Sequence, residues 1–267
     1  WPNLTAMVGF WATLSINIPD FTRFARTQRD QVVGQALGLP GTMLLFAFIG
    51  VAVTGATVLL YGEPIWDPTL IAAKFSSPVV VGLSTFALAI ATLSTNIAAN
   101  VVGPANDFAN LAPRHISYRA GGLITAVIGV LMMPWKLLAS SAAYTFTWLI
   151  GYSALLGPIG GILIADYFVL RRTQLDEAAL FSADGAYRYA GGYNPRALLA
   201  LAVGVAPSLP GFLRALARAQ GETLPHTALD AVYDSAWFVG FGLAAAAYLL
   251  FTRLSPAAQP ATKSPSA

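Results

Sequence analysis

The chain has 267 residues, of which 56% are hydrophobic and only 10% are charged, and its net charge is +3. Soluble domains carry about 25% charged residues, so this composition excludes an ordinary water-facing surface and indicates a membrane protein. The scattered basic residues and the absence of cysteine argue against a nucleic-acid-binding protein, disulfides and thiolate metal sites. The alternative class is a large soluble protein with an unusually apolar core, but several apolar runs are too long for core helices.

Apolar segments follow one another along the chain and predict an all-α polytopic membrane protein with about seven transmembrane spans. In chain order they cover residues 4–19, 39–61, 79–102, 122–133, 142–169, 197–213 and 236–251. A short helix is predicted from Pro68 to Phe75, a break at Gly103-Pro104 and a kink at Gly157-Pro158. We therefore predict a transmembrane domain over residues 1–253 and a disordered tail over residues 254–267.

The distribution of basic residues between the loops predicts the orientation in the membrane, because cytoplasmic loops are enriched in Lys and Arg. The loops after segments one, three and five, together with the tail, carry Arg23, Arg26, Arg29, Arg114, Arg119, Arg171, Arg172, Arg188, Arg196, Arg253 and Lys263. The opposite side carries Lys74, Lys136, Arg214 and Arg218. The first set is therefore predicted to face the cytoplasm, which places the C-terminus there.

The third apolar segment contains most of the polar residues that suggest a binding site. At 100° per residue, Ala91, Ser94 and Thr95 share one face of a helix, and Asn96 and Asn100 share roughly the opposite face. Polar groups in a membrane helix are costly and usually face the protein interior. We therefore predict that this helix lies at the centre of the bundle.

The two polar faces of this segment suit two different ligands. The hydroxyls of Ser94 and Thr95 offer oxygens to a hard cation, and a backbone carbonyl freed near Ala91 would add another. Asn96 and Asn100 present a donor and an acceptor side by side, which matches the amide edge of a heterocycle. The alternative is that these groups only hold helices together.

Two further sites stand out in the apolar segments. Gly9-Phe10-Trp11 lies inside the first segment, where the indole of Trp11 offers a stacking plane for a flat ligand. The alternative for Trp11 is a packing or membrane-interface role. Asp166 is followed by Arg171-Arg172, and local pairing explains it better than a proton relay.

Four strings in order resemble one known family. They are ATLSTNIAANVVGPANDFANLAPR, GGLITAVIGVLMMPWKLL, LLGPIGGILIADYFVLRR and YRYAGGYNPRA. Between about Trp11 and Arg196 the chain resembles nucleobase–cation symporter family 1, which includes hydantoin, allantoin, uracil, cytosine and purine permeases. That family has two inverted five-helix repeats plus two extra helices. The resemblance implies that this chain corresponds to the second five-helix repeat plus the two C-terminal helices.

The resemblance also implies residue roles. The Ala91 carbonyl and the Ser94 and Thr95 hydroxyls correspond to sodium ligands, Asn100 to a substrate contact, and Trp11 to a residue that stacks on the substrate ring. Gly9 and Phe10 lie beside Trp11, and Phe10 replaces a glycine of the family pattern, which implies a bulkier wall. Asn96 is added as a substrate contact from its position next to these residues.

The implied function is secondary active transport of nucleobase-like heterocycles, coupled to sodium or protons, in the cell membrane, and no organic cofactor is expected. The family's first and third helices, which complete the two sites, have no counterpart here. The chain is therefore expected to be a partial transporter that needs an N-terminal half and does not transport alone. Two alternatives are a non-transporting binding or assembly subunit and a membrane enzyme. The enzyme is disfavoured because His115 and His226 lie in predicted loops and no span holds a carboxylate pair.

Overall fold

The computed structural model describes residues 1–138, 143–182 and 185–254, and these residues form helices joined by short loops. The helices in chain order are α1 (Pro2–Trp11), α2 (Leu14–Asn17), α3 (Pro19–Thr22), α4 (Gln28–Tyr61), α5 (Pro68–Ala72), α6 (Pro78–Asn96), the π-helical π1 (Ile97–Val101), α7 (Val102–Leu111), α8 (Tyr118–Leu131), α9 (Pro134–Leu138), π2 (Ala143–Leu149), α10 (Ile150–Ile164), π3 (Ala165–Leu170), α11 (Glu177–Leu180), α12 (Pro195–Val205), a 3₁₀ turn (Ala206–Ser208), α13 (Leu209–Ala219), α14 (Ala228–Asp234) and α15 (Ala236–Leu254).

Six of the predicted spans correspond to helices that are long and apolar enough to cross a membrane, within the described residues. They are Gln28–Tyr61, Pro78–Leu111, Tyr118–Lys136, Tyr144–Leu170, Pro195–Ala219 and Ala236–Leu254. This confirms an all-α, multi-pass architecture. The start of the predicted fifth span, at residue 142, and the predicted tail beyond residue 254 lie outside the described residues.

The first predicted span, residues 4–19, is not one continuous helix. It is divided into α1, α2 and α3, with interruptions after Trp11 and Asn17. Pro19 opens α3, where its missing amide hydrogen is tolerated because the first turn of a helix has no intrahelical acceptor for it. The segment is therefore broken near the candidate residue Trp11.

The break predicted at Gly103-Pro104 is wrong, because α6, π1 and α7 follow one another without interruption from Pro78 to Leu111. Pro104 is the third residue of α7 and comes directly after the π-helical turn. A proline can be accommodated where the hydrogen-bond register of the helix already changes. The helix therefore extends well past the point where the sequence suggested that it ends.

The chain divides into two compact units. Unit 1 comprises residues 1–16 and 133–267, and unit 2 comprises residues 17–132. In unit 1, α10 is the central helix and packs against α1, α12 and α15. In unit 2, α7 packs against α8, and α5 packs against α6.

Glycine allows the helices of unit 1 to approach closely. A Cβ added at Gly240 in α15 would lie 2.9 Å from the ring atoms of Pro158 in α10. A Cβ at Gly204 in α12 would lie 2.8 Å from the Cβ of Ala244 in α15. Both distances are too short for a real side chain, so α10, α12 and α15 meet through small residues, as membrane helices commonly do.

Asp230 joins α13 to α14 at one end of unit 1. Its carboxylate accepts hydrogen bonds from Arg218 at 2.7 Å, from Arg214 at 3.2 Å and from the backbone N–H of Thr227 at 2.7 Å. The Asp230 side chain is only 2% exposed. The hydrogen bond from Arg218 holds the pKa of Asp230 well below its ordinary value, with further lowering by Thr227 and Arg214. Asp230 therefore stays charged inside a network that satisfies it.

Asp166 occupies a similar network in π3. Arg171 donates to Asp166, Tyr248 of α15 donates to it at 2.7 Å, and Asn194 donates to the Tyr248 hydroxyl at 3.1 Å. Arg171 also donates to the hydroxyl of Tyr189 at 2.7 Å. The predicted local pairing of Asp166 is therefore confirmed, and the network ties the connection between π3 and α12 to α15.

The longest helix of unit 2 is α4, which begins before its predicted start. Thr27 caps it by accepting a hydrogen bond from the Asp30 backbone N–H at 3.1 Å, and Gly62 ends it with a φ of 76°. Pro40 lies inside the helix without ending it. The prediction placed the start at about residue 39 because it followed the apolar run, whereas the first turn of α4 is polar and its boundary is set by the cap at Thr27.

Candidate functional site

The candidate residues of unit 2 lie where the α-helical register changes. Ala91, Ser94, Thr95 and Asn96 belong to α6, and Asn100 belongs to π1. In π1, the backbone N–H of Val102 donates to the carbonyl of Ile97, five residues earlier, instead of four. Such π-helical turns are frequent at functional sites because they change the direction of side chains and free backbone groups.

Asn96 and Asn100 lie next to each other, as their spacing predicted. The Asn100 amide nitrogen donates to the Asn96 Oδ1 at 2.6 Å. In each side-chain amide the oxygen accepts hydrogen bonds and the nitrogen donates them, so this contact leaves the Asn100 Oδ1 and the Asn96 Nδ2 for other partners. Within the described part of the chain, neither atom makes a hydrogen bond. The pair can therefore present an acceptor and a donor together to a ligand.

The backbone of Asn100 adds an acceptor that the sequence prediction missed. Pro104, four residues later, has no amide hydrogen, so the α-helical hydrogen bond to the Asn100 carbonyl cannot form. The prediction had placed a freed carbonyl near Ala91, but the irregular turn lies at Ile97–Val101 instead. The signal that was available in the sequence is the spacing between Asn100 and Pro104.

Ala91 lies in the regular part of α6, with Ser94 one turn later. The Ser94 hydroxyl donates to the Ala91 carbonyl at 3.1 Å. Two oxygens at this separation can both contact one hard cation of the size of Ca²⁺, which binds oxygens at about 2.3–2.6 Å. No group of three His, Cys, Asp or Glu residues in the described parts of the chain is placed to hold a metal ion. The oxygens at this position of α6 are the Ala91 carbonyl and the hydroxyls of Ser94 and Thr95.

The prediction that this helix lies at the centre of the bundle is wrong for this chain. Ser94, Thr95, Asn96 and Asn100 are all exposed, and none of the most apolar window of the Pro78–Leu111 helix is buried. The prediction assumed that polar faces in a membrane helix must be covered. Among the described residues, none covers the polar faces of α6.

The candidate residues of unit 1 lie at the end of α1. Trp11 is half-buried and meets the exposed Phe10 ring edge-to-face, with 5.2 Å between the centroids and 81° between the planes. Gly9 is buried, and a Cβ added there would lie 2.5 Å from the Leu149 carbonyl and would also collide with the Ser153 hydroxyl. Gly9 therefore has a packing role, whereas Phe10 and Trp11 offer aromatic surface.

The structure thus brings the candidate residues together in two groups. One group is the set of polar residues on α6 and π1 in unit 2, and the other is Gly9, Phe10 and Trp11 in unit 1. The first group combines amide and carbonyl hydrogen-bonding atoms with closely spaced oxygens for a cation. The second group supplies aromatic rings and no charge. These are the chemical features that bind flat, polar heterocycles.

Residues 1–240 match the sequence family described as permeases for cytosine and purines, uracil, thiamine and allantoin. The chain belongs to this permease family. The match covers both groups of candidate residues. It also covers the whole continuous helix Pro78–Leu111, of which π1 is the middle part.

Curated members of the permease family are similar over nearly the whole chain. The chain is 44% identical to the purine-uracil permease NCS1 of Arabidopsis thaliana, over 95% of this chain and 42% of the relative. It is 43% identical to the allantoin permease of Bacillus subtilis, over 97% of this chain and 51% of the relative. The chain therefore spans about half the length of the curated relatives it matches.

A solved structure of the same family supports the fold. Mhp1, a nucleobase-cation-symport-1 family transporter, has been solved in a closed conformation with bromovinylhydantoin bound. It matches with a TM-score of 0.67 and 28% identity, over 94% of this chain and 51% of Mhp1. The chain thus has the fold of one half of a permease of this family, and the relatives are permeases and not enzymes.

Proposed function

We propose that this chain is part of a cation symporter that carries nucleobase-like heterocycles, such as uracil, allantoin, hydantoin, cytosine or purines, across the cell membrane. The observation that carries the proposal is the pair Asn96–Asn100 at a π-helical turn, beside the Asn100 carbonyl, whose usual i+4 donor is replaced by Pro104. The amide groups of uracil and allantoin each offer an N–H beside a C=O. This edge is complementary to the donor and acceptor that the asparagine pair presents.

The coupling ion in this proposal is sodium, bound by the Ala91 carbonyl and the hydroxyls of Ser94 and Thr95. The 3.1 Å separation of the Ala91 and Ser94 oxygens fits two ligands of one ion. Trp11 would stack on the substrate ring and Phe10 would form a wall beside it, while Gly9 allows α1 to pack beside π2 and α10. Proton coupling is the alternative, and the experiment below separates the two.

The remaining partner in the proposal is an N-terminal half that completes both sites. The exposure of the polar faces of α6 supports it, because uncovered polar groups in a bilayer are costly. The proposed location is the cytoplasmic membrane, with the C-terminal end in the cytoplasm. The excess of basic residues in the loops on that side supports this orientation.

The function is tested by binding of labelled uracil and allantoin to the full-length protein in lipid nanodiscs, with and without sodium. Thr95→Ala should weaken sodium-dependent binding, because one cation ligand is lost. Thr54→Ala, on α4 of the same unit, is the matched control and should leave binding unchanged. If sodium dependence is unchanged in Thr95→Ala, coupling at this site is refuted. If neither compound binds, the proposed substrate class is wrong.

A further inference from the structure

A cavity of about 540 Å³ lies in unit 1, and none of the residues assigned to the cation or the substrate in the proposed function lines it. It is lined by segment 147–155, from π2 and α10, and by segment 205–219, from α12, the 3₁₀ turn and α13. Both segments belong to helices that are long and apolar enough to cross a membrane. Its volume lies in the range of small-molecule sites, about 300–1,000 Å³.

The walls of this cavity are aromatic and uncharged. Trp148 and Tyr152 lie one turn apart with their rings nearly parallel, 6.1 Å between centroids and 12° between planes. Phe212 lines the cavity from the other segment, and none of the lining residues is charged. Flat, uncharged ligands pack well against such surfaces, whereas an ion would be poorly solvated there.

One buried polar group in the wall has no partner. Ser208 is 1% exposed, and its hydroxyl makes no hydrogen bond in the described structure. It ends the 3₁₀ turn between α12 and α13, where Pro207 and Pro210 interrupt the regular helix. Buried hydroxyls are nearly always hydrogen-bonded. Rotation about χ1 moves a serine hydroxyl between three staggered positions, so a ligand in the cavity can become its partner.

The position of Ser208 along the helix restricts the chemistry of the occupant. Helix α13 has 11 residues, so Ser208 lies about 16 Å along the axis from the end of the span at Ala219. This is about half of the 30 Å hydrocarbon thickness. An acyl chain would place only methylene groups at this depth and would leave the hydroxyl unpaired. A small ring with a nitrogen would pair with it.

We propose that this cavity binds an uncharged, largely apolar heteroaromatic molecule that packs against Trp148, Tyr152 and Phe212. One ring nitrogen or N–H of the ligand exchanges a hydrogen bond with the Ser208 hydroxyl. The cavity is lined by residues of unit 1, whereas the asparagine pair belongs to unit 2. It does not depend on the proposed transport function.

Indole is a suitable ligand for the test, because it is flat and apolar and carries one N–H. Binding of labelled indole to the full-length protein in lipid nanodiscs is measured by equilibrium dialysis against empty nanodiscs. Saturable binding is expected. Leu216→Trp, which fills the cavity from α13, should weaken it at least tenfold. Leu213→Trp, on the same helix but outside the lining, is the matched control and should leave binding unchanged.

Ser208→Ala separates a ligand contact from a structural role. It should weaken indole binding about three- to tenfold through the lost hydrogen bond. It should also raise the melting temperature of the ligand-free protein, because a buried polar group without a partner is removed. A lower melting temperature would show that the hydroxyl is satisfied in the protein and would overturn its assignment as a ligand contact.

Three other outcomes would overturn the proposal. The first is indole binding that does not saturate or is equal in Leu216→Trp and the unmodified protein. The second is a phospholipid that is retained in native mass spectra of the unmodified protein and lost in Leu216→Trp, since a lipid would then be the occupant. The third is a parallel loss of uracil binding in Leu216→Trp, which would make the cavity part of the transport site. Failure of uracil to bind any variant would count against the proposed function alone.

Discussion

Asn100 combines several hydrogen-bonding groups in one position of the chain. Its Nδ2 is used by Asn96, its Oδ1 remains available, and its backbone carbonyl has no α-helical partner because of Pro104. The contact from Asn96 also fixes the orientation of the Asn100 amide. In the proposed site Asn96 therefore has two roles, because it orients Asn100 and offers its own Nδ2 to the ligand.

We predict that Asn100→Ala weakens equilibrium binding of uracil or allantoin to the full-length protein about tenfold or more, because a hydrogen bond to the ligand is lost. Sodium binding should be largely retained. Asn96→Ala should also weaken substrate binding, because it removes both the Nδ2 donor and the contact that orients the Asn100 amide. The exposed Asn110, on α7, provides the control Asn110→Ala. An equal loss in Asn110→Ala would point to a general effect on folding.

Asp230 shows how charge stabilises an end of unit 1. Because its pKa is lowered on folding, its ionised form favours the folded state. The contribution is fully present above the unfolded pKa of about 3.9 and is lost as the pH falls through the lower pKa of the folded state. The stabilisation is therefore complete at neutral pH and weakens only in acid.

We predict that Asp230→Asn destabilises the protein by about 2–3 kcal/mol at pH 7, because Arg214 and Arg218 lose their buried counter-ion. Thermal unfolding of the purified protein in detergent measures this. The difference from the unmodified protein should shrink below about pH 4, where Asp230 begins to lose its charge. The control is Asp176→Asn, on the exposed cap of α11. A difference that grows in acid would contradict the assigned direction of the pKa shift.

At the scale of elements, the predicted spans agree closely with the observed helices wherever the helix begins and ends with its apolar run. The seventh segment, for example, was predicted over residues 236–251 and is α15 (Ala236–Leu254). The prediction failed at the polar start of α4, which lies before the apolar run, and at Pro104, which follows π1 inside a continuous helix. A periodicity of 3.6 residues contains no information about a single π-helical turn, so π1 was not predictable from apolar pattern alone.

The close packing of α10, α12 and α15 gives a prediction at this scale. Gly240→Leu should destabilise the protein by about 1–3 kcal/mol, because its side chain would overlap Pro158. Gly242→Leu is a matched control on the same helix, since a Cβ there meets no atom within 4 Å. Thermal unfolding of both variants separates packing from the intrinsic effect of replacing glycine in a helix. Equal melting temperatures of the two variants would show that the close contact between Gly240 and Pro158 does not limit side-chain size, which would contradict the prediction.

At the scale of the whole molecule, the sequence predicted the membrane class, the order of the spans and the family. It also predicted that Asn96 and Asn100 are neighbours, because i and i+4 positions meet on a helix. It did not predict the exposure of α6. The helical pattern identifies polar faces, but what covers them depends on packing between distant elements. The polar groups of α6 therefore need cover that the described residues do not provide.

This exposure leads to the last prediction, which concerns transport by the chain alone. Cells that make only these 267 residues should take up labelled uracil and allantoin no faster than cells with an empty vector. In the isolated chain, Ser94, Thr95 and Asn100 face outward, so cation and substrate would each have contacts on one side only. Alternating access also requires one group of helices to move against another around the bound ligand.

Two controls make the uptake experiment decisive. Membrane insertion of the chain is checked by protease protection, so that absence of uptake is not simply absence of protein. Cells that make the full-length Bacillus subtilis allantoin permease, 43% identical over the matched region, serve as the positive control for allantoin. Uptake above the empty-vector level that Asn100→Ala abolishes would show that the exposed helix suffices for transport. The requirement for a covering half would then be wrong.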